Sequence, residues 1–227
     1  MSGRPWHEES PTELDRLRQE LARSYPTLHV FVYKTFVIIR GTFPVEHDGR
    51  EIDRLKVEVV IPPGFPKSPP IVFETGGRIP RTFDRHIFSD AGGCCLFYPD
   101  AFKIRYPNGM PFLEFLRGPV RDYFLGQLAV EDGKPWPFGH LGHGIRGGVE
   151  FYEGELGVQG NEAVIKLLYC LSMRELKGHH VCPCRSGRRL RNCCRERVEG
   201  LRKRIPQDVA LTAIRRLTSQ NAKGESR

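Results

Sequence analysis

The chain has 227 residues, 39% hydrophobic and 10% aromatic, enough for one domain of ordinary size plus a smaller appendage, and this composition excludes global disorder. No run approaches about 18 apolar residues and the N-terminus lacks a basic-then-apolar signal pattern, so the expectation is a soluble, cytoplasmic protein with no membrane partner. The formal net charge is +8 and there are seven cysteines, four of them clustered, which favours metal binding and catalysis over a disulfide framework.

In chain order, Met1 to Glu9 reads as a loose polar leader. Ser10-Pro11 then forms an N-cap with proline at the first helical position. Leu14, Leu17 and Leu21 make one apolar stripe, with Arg16, Arg18, Glu20 and Arg23 on other faces, until Pro26 closes the helix. The stripe predicts core contact. Leu28 to Tyr33 and Thr35 to Thr42 are rich in Val, Ile, Phe and Tyr and predict two strands, followed by the turn His47-Asp48-Gly49. Leu55, Val57, Val59 and Ile61 alternate with polar or smaller residues, the period of a half-buried strand. Prolines between Pro62 and Pro70 fix φ and remove amide donors, predicting a rigid reversal before the short buried strand Ile71-Val72-Phe73. After a stretch without periodicity comes Gly92-Gly93-Cys94-Cys95-Leu96, where glycines permit close or left-handed backbone beside a thiol, a candidate nucleophile.

This succession is similar to the core of ubiquitin-conjugating enzymes. Phe65-Pro66-Lys67-Ser68-Pro69-Pro70 resembles the family's YPxxPP-type turn, and Gly92 to Leu96 resembles its cysteine element, which makes Cys95 the carried-over catalytic residue. The His-Pro-Asn element has no clean match: Arg85 precedes His86, and Ile87 and Phe88 follow it, so the oxyanion-stabilising asparagine is missing. The resemblance points to divergent bacterial members. It implies an α+β, ubiquitin-conjugating-like fold, a four-stranded antiparallel meander with flanking helices.

Beyond the cysteine, Phe112, Phe115, Leu116, Val120, Tyr123, Phe124 and Leu128 predict a helix across Pro111 to Ala129, kinked or broken at Gly118-Pro119. The stretch from Trp136 to Gly157 holds His140 and His143 among glycines and aromatics. It reads either as a flap over Cys95 or as a structural loop pinned by Trp136, Phe138, Phe151 and Tyr152. A composition break near Gly157 to Gly160 divides a catalytic domain, 1–158, from a tail, 159–227. Ala163, Val164, Leu167, Leu168 and Leu171 predict a helix in which Cys170 is a small buried hydrophobe.

Cys182, Cys184, Cys193 and Cys194 supply four soft ligands at a spacing that suits a closed tetrahedral zinc site. The run CPCRSGRRLRNCC resembles the SEC-C motif, a short zinc-binding module, with Arg185 where that motif usually has its first glycine. Cys182 to Arg204 carries eight Arg and one Lys against two Glu, or +7. Four thiolates on Zn²⁺ bring the metallated segment to about +5. Such a patch can bind nucleic acid, bind an acidic protein face, or stay a solvated surface. Leu201, Ile205, Val209, Leu211 and Ile214, with Pro206 at a helix start, predict a final amphipathic helix.

The resemblance implies a transferase. Cys95 accepts the C-terminus of a ubiquitin-like modifier, or of a protein such as a nucleotide cyclase, from an activating enzyme and passes it to a protein target, in the bacterial setting of antiphage, cyclic-oligonucleotide signalling. A donor-rich glycine turn and Arg85 or His86 are expected to favour the Cys95 thiolate. His86 is expected to serve the oxyanion or a proton transfer, with His140 and His143 in reserve. Two other readings stay open: an inactive conjugating-fold adaptor, and a zinc-dependent nucleic-acid-binding protein acting through its basic tail.

Overall fold

The computed structural model describes residues 4–88, 91–139, 142, 144–184 and 186–219. They fall into two compact units, residues 1–139 and 140–227. This partition differs from the one expected at 158/159, because the helix after Gly144 belongs with the second unit.

In the first unit four strands, β1 (Leu28–Tyr33), β2 (Phe36–His47), β3 (Arg50–Ile61) and β4 (Ile71–Glu74), form an antiparallel sheet in the order β1-β2-β3-β4. Val37, Ile39, Phe43 and Val45 of β2 and Leu55, Val57, Val59 and Ile61 of β3 are buried, with a period of two. They share one core with Leu14, Leu17 and Leu21 of α2 (Pro11–Ser24), so the expected helical stripe packs on one face of the sheet. Both long strands run further than their apolar patterns. The extensions cross Asp48-Gly49, where both residues have positive φ (50° and 74°), as a tight hairpin turn requires. Pro44 is tolerated in β2 because β1 pairs only as far as Gly41, leaving the Pro44 position bonded on one side. Gly41 continues the alternating row at φ 151°, and a Cβ there would lie 1.9 Å from the Thr27 carbonyl oxygen.

The described part of the leader, from Arg4, is docked rather than loose. α1 (Trp6–Glu9) buries His7, the Trp6 amide donates to the Pro63 carbonyl at 3.3 Å, and the Trp6 ring lies 5.4 Å from that of Phe65. Phe65 in turn meets Phe112 edge-on at 6.4 Å, and the Met110 amide donates to the Pro66 carbonyl, so the proline turn is fastened from two directions. α3 (Pro99–Arg105) follows the cysteine pair. The helix expected over 111–129 begins as α4 (Phe112–Phe115) and ends as α5 (Arg121–Glu131). It does not break at Pro119: Leu116–Val120 widens into a π segment whose flanking residues keep right-handed helical angles, and this absorbs the proline's missing N–H.

The second unit is helical: α6 (Gly144–Leu156), α7 (Asn161–Ser172), α8 (Arg195–Arg204) and α9 (Gln207–Ser219). The glycine-rich segment expected as a flap or loop is therefore α6. Its Gly147 admits the Gly142 carbonyl, which a Cβ would meet at 1.6 Å, while the Gly142 amide donates to Glu150 Oε2 at 2.6 Å. Phe151, Tyr152 and Leu156 of α6 are buried, as are Val164, Leu167, Leu168, Cys170 and Leu171 of α7 and Val209, Ala213, Ile214 and Leu217 of α9. Leu211 is exposed, so the buried stripe of α9 runs through Ala210 and Ala213 instead.

Candidate functional site

Cys94 and Cys95 lie on an extended strip laced to both neighbours. On one side Gly93 bridges Phe73 of β4, and the Cys94 amide donates to the Val72 carbonyl at 2.7 Å. On the other, Cys94 bridges Ile87, and the Cys95 amide donates to the His86 carbonyl at 2.7 Å. Successive side chains of an extended chain point to opposite sides. Cys94 accordingly enters the core, and Cys95 is half-buried with Sγ 4.0 Å from the Phe97 carbonyl oxygen.

The environments of the two thiols differ. Burial pushes Cys94 up to about 12, outweighing the smaller effects of the neighbouring Tyr123 hydroxyl and the Glu74 backbone that pull it down. Burial also raises Cys95, and no cation among the described residues opposes it. The expected activation by Arg85 is thus corrected: its guanidinium donates to Gln127 Oε1 at 2.8 Å and lies 3.7 Å from Glu131. Nor is the turn donor-rich, since the amides of Gly92, Cys94 and Cys95 are spent on backbone carbonyls.

His86 is held in the left-handed region, at φ 50° and ψ 41°, between two anchors. The preceding Arg85 carbonyl accepts from Gln127 Nε2 at 2.6 Å and from the Tyr123 hydroxyl at 3.2 Å. The imidazole lies 4.3 Å from Trp136, ring centre to ring centre, and Trp136 rests where a side chain on Gly126 would otherwise stand. Sequence reasoning missed Trp136 and Gln127 as neighbours of His86, because neither belongs to a motif. His140 and His143 lie outside the described residues.

Alkylation reads this geometry directly. Iodoacetamide is expected to modify Cys95 in the native protein and to spare Cys94 until denaturant is added. Because a raised pKa means less thiolate at a given pH, the Cys95 rate is expected to reach half its plateau above the ordinary thiol value of about 8.5. Peptide mapping after alkylation across pH 6 to 11 checks both. Faster modification of Cys94 than of Cys95 would reverse the assignment of the accessible thiol.

The second site lies between α7 and α8. The chain folds back on itself through the Val181–Arg189 bridge, with the Cys182 amide donating to the Arg188 carbonyl at 2.9 Å and the Leu190 amide to the His180 carbonyl at 2.8 Å. A 3₁₀ turn, Leu190–Asn192, with Leu190 fully buried, then delivers Cys193 and Cys194, the latter as N-cap of α8. Cys182, Cys184, Cys193 and Cys194 have all four Sγ atoms within 4.8 Å of one another, so they could hold a metal ion. Neighbouring sulfurs are 3.3 Å (Cys182 and Cys184), 3.4 Å (Cys184 and Cys193) and 3.7 Å (Cys193 and Cys194) apart. A tetrahedron with metal–sulfur bonds of about 2.3 Å has edges of about 3.8 Å, close to these spacings. Without a cation the four cannot ionise together. Hydrogen bonds from Ser186 and the neighbouring thiols pull Cys184 down to about 6, whereas burial and those neighbours push Cys194 up to about 12.

Three arginines of the basic stretch have structural roles. Arg197 donates to the Leu156 and Gly157 carbonyls at 2.6 and 2.8 Å, closing α6. Arg202 donates to the Met173 carbonyl at 2.7 Å beyond the end of α7, and Arg204 to the Glu155 carbonyl. They satisfy orphan carbonyls at negative helix ends, so part of the +7 is engaged within the unit and is not a free patch.

Comparison with protein-family models, with curated proteins and with solved structures gives no match to this chain. No helix among the described residues is long and apolar enough to cross a membrane.

Proposed function

We propose that the first unit is a ubiquitin-conjugating-like transferase with Cys95 as its nucleophile. The observation that carries this reading is the half-exposed Cys95 beside β4, on a strip hydrogen-bonded to His86, in a unit built as helix, four-stranded meander, proline turn and cysteine. In the first step the Cys95 thiolate attacks the carbonyl carbon of a modifier's thioester on an activating enzyme. A new S–C bond forms and the activating enzyme's thiolate leaves. In the second, a target amine attacks the Cys95 thioester, an amide forms, the Cys95 thiolate departs and the amine loses its proton to a base. His86 is the candidate for that proton, or for a hydrogen bond to the tetrahedral oxyanion in the absence of the family's asparagine. The raised Cys95 pKa implies that the incoming thioester complex must stabilise the thiolate.

The cysteine cluster is proposed as a structural zinc site held by Cys182, Cys184, Cys193 and Cys194, with all four positions filled and none left for water. Zinc held by these four residues would supply charge neutralisation and a cross-link rather than chemistry. Antiphage signalling remains the biological setting that the bacterial resemblance suggests.

With candidate activating enzyme, modifier and ATP, Cys95→Ser is expected to replace a thiol-reducible adduct by a stable ester or by none, while Cys94→Ala retains the adduct. Adduct retained on Cys95→Ser and lost on Cys94→Ala would reassign the nucleophile. Modifier bound without any adduct would favour the adaptor reading.

A further inference from the structure

Strand β1 forms one edge of the sheet and, among the described residues, pairs only with β2. Alternate residues of an antiparallel edge strand turn their N–H and C=O groups away from the sheet, ready to pair with another chain. Natural edges are usually blunted by charge, proline or a covering loop. This one, Leu-His-Val-Phe-Val-Tyr, has no proline and no Lys, Arg, Asp or Glu. Phe31 is 48% exposed, Val32 45% and Tyr33 58%, so apolar side chains stand open on both faces of the edge. Beside it runs a groove lined by Arg18 and Ala22 of α2, by Pro26, and by Leu28, His29 and Val30.

We propose that the β1 edge and this groove form a peptide-binding site that takes an extended, carboxylate-bearing segment of a partner protein as a fifth strand. Main-chain hydrogen bonds to the outward groups of β1 supply the affinity, and alternate apolar side chains of the segment cover Phe31, Tyr33 and Val32. Charge selects the class. Arg18 lines the groove, its ion pair with Asp15 at 3.1 Å is exposed and so open to exchange for an incoming carboxylate, and the exposed Lys34 follows the last residue of the edge strand. A second copy of the chain is the poorer occupant: pairing of six-residue strands falls short of the roughly 1,000 Å² that a stable interface buries. This site is separate from Cys95 and does not depend on the transferase reading.

The test uses full-length, ¹⁵N-labelled protein and two synthetic octapeptides of alternating Val and Thr, one carrying two Glu and the other two Lys. The acidic peptide is expected to protect every second amide of residues 28–33 from exchange and to shift resonances along the groove. It should bind about three- to fivefold more tightly than the basic peptide at low ionic strength, as one or two exposed ion pairs dictate, and the gap should close in high salt. Arg18→Glu, an exposed change on α2, should reverse the preference. Shifts centred elsewhere, equal binding of the two peptides, no binding at millimolar peptide, or a β1-mediated dimer in sedimentation without peptide would each overturn the proposal.

Discussion

Native mass spectrometry of the full-length protein is expected to find one zinc ion, and Cys184→Ser to lose most of it. Among the sulfurs, Cys184 lies 3.3 Å from Cys182 and 3.4 Å from Cys193, and its removal takes away one of four ligands and with it the three tetrahedron edges that meet there. Among the described residues the segment between the cysteines is held by the Val181–Arg189 bridge and a few backbone hydrogen bonds, one 3₁₀ turn and the buried Leu190. Apparent zinc-binding free energies of about 10–16 kcal/mol in small cysteine sites are folding free energy for such segments. Chelation is therefore expected to disorder residues 178–194 and to loosen the start of α8, which begins at its N-cap Cys194. The sheet of the first unit should keep its exchange protection. Acid should act as a chelator does, since protons compete with the metal for thiolates. Less than about half an equivalent of zinc in protein purified without chelator, or metal content unchanged in Cys184→Ser, would defeat the assignment.

Legibility followed periodicity. Alternation made β3 readable from Leu55 to Ile61, but Arg50 to Arg54 extend the same strand with mostly charged, mostly exposed residues that carry no pattern. The stripe Leu14, Leu17, Leu21 showed both helix and buried face, whereas the four-residue α1 is too short for any period. Helix α6 was hidden by composition. Glycines at 144, 147, 148 and 154 have low helix propensity, and only tertiary packing of Phe151, Tyr152 and Leu156, with Gly147 against the Gly142 carbonyl, decides the conformation. For the site, spacing alone brought the four zinc-type cysteines together. It could not tell Cys94 from Cys95 in depth, nor show that Arg85 is committed to Gln127 and Glu131, since those partners lie some forty residues away.

The partition at 139/140 leads to a truncation result opposite to the one the composition break suggests. A chain ending at Val158 keeps α6, with its buried Phe151, Tyr152 and Leu156, but removes α7 and α9, the elements of its own unit that α6 packs on. Exposing each such side chain forfeits about 1.5–3 kcal/mol of burial and leaves a sticky amphipathic helix. Residues 1–158 are expected to aggregate or bind a hydrophobic dye. Residues 1–139 retain the sheet, α2, α5 and Trp136 against His86, and so are expected to be monomeric and to alkylate Cys95 with the full-length pH profile. If they fold, they also report on the tail: thioester formation at saturating activating enzyme should survive, while delivery to the natural target slows. Sedimentation and Cys95 alkylation of the two truncations decide between the boundaries. A monomeric 1–158 fragment beside an insoluble 1–139 fragment would show that α6 completes the first unit and would restore the boundary near Val158.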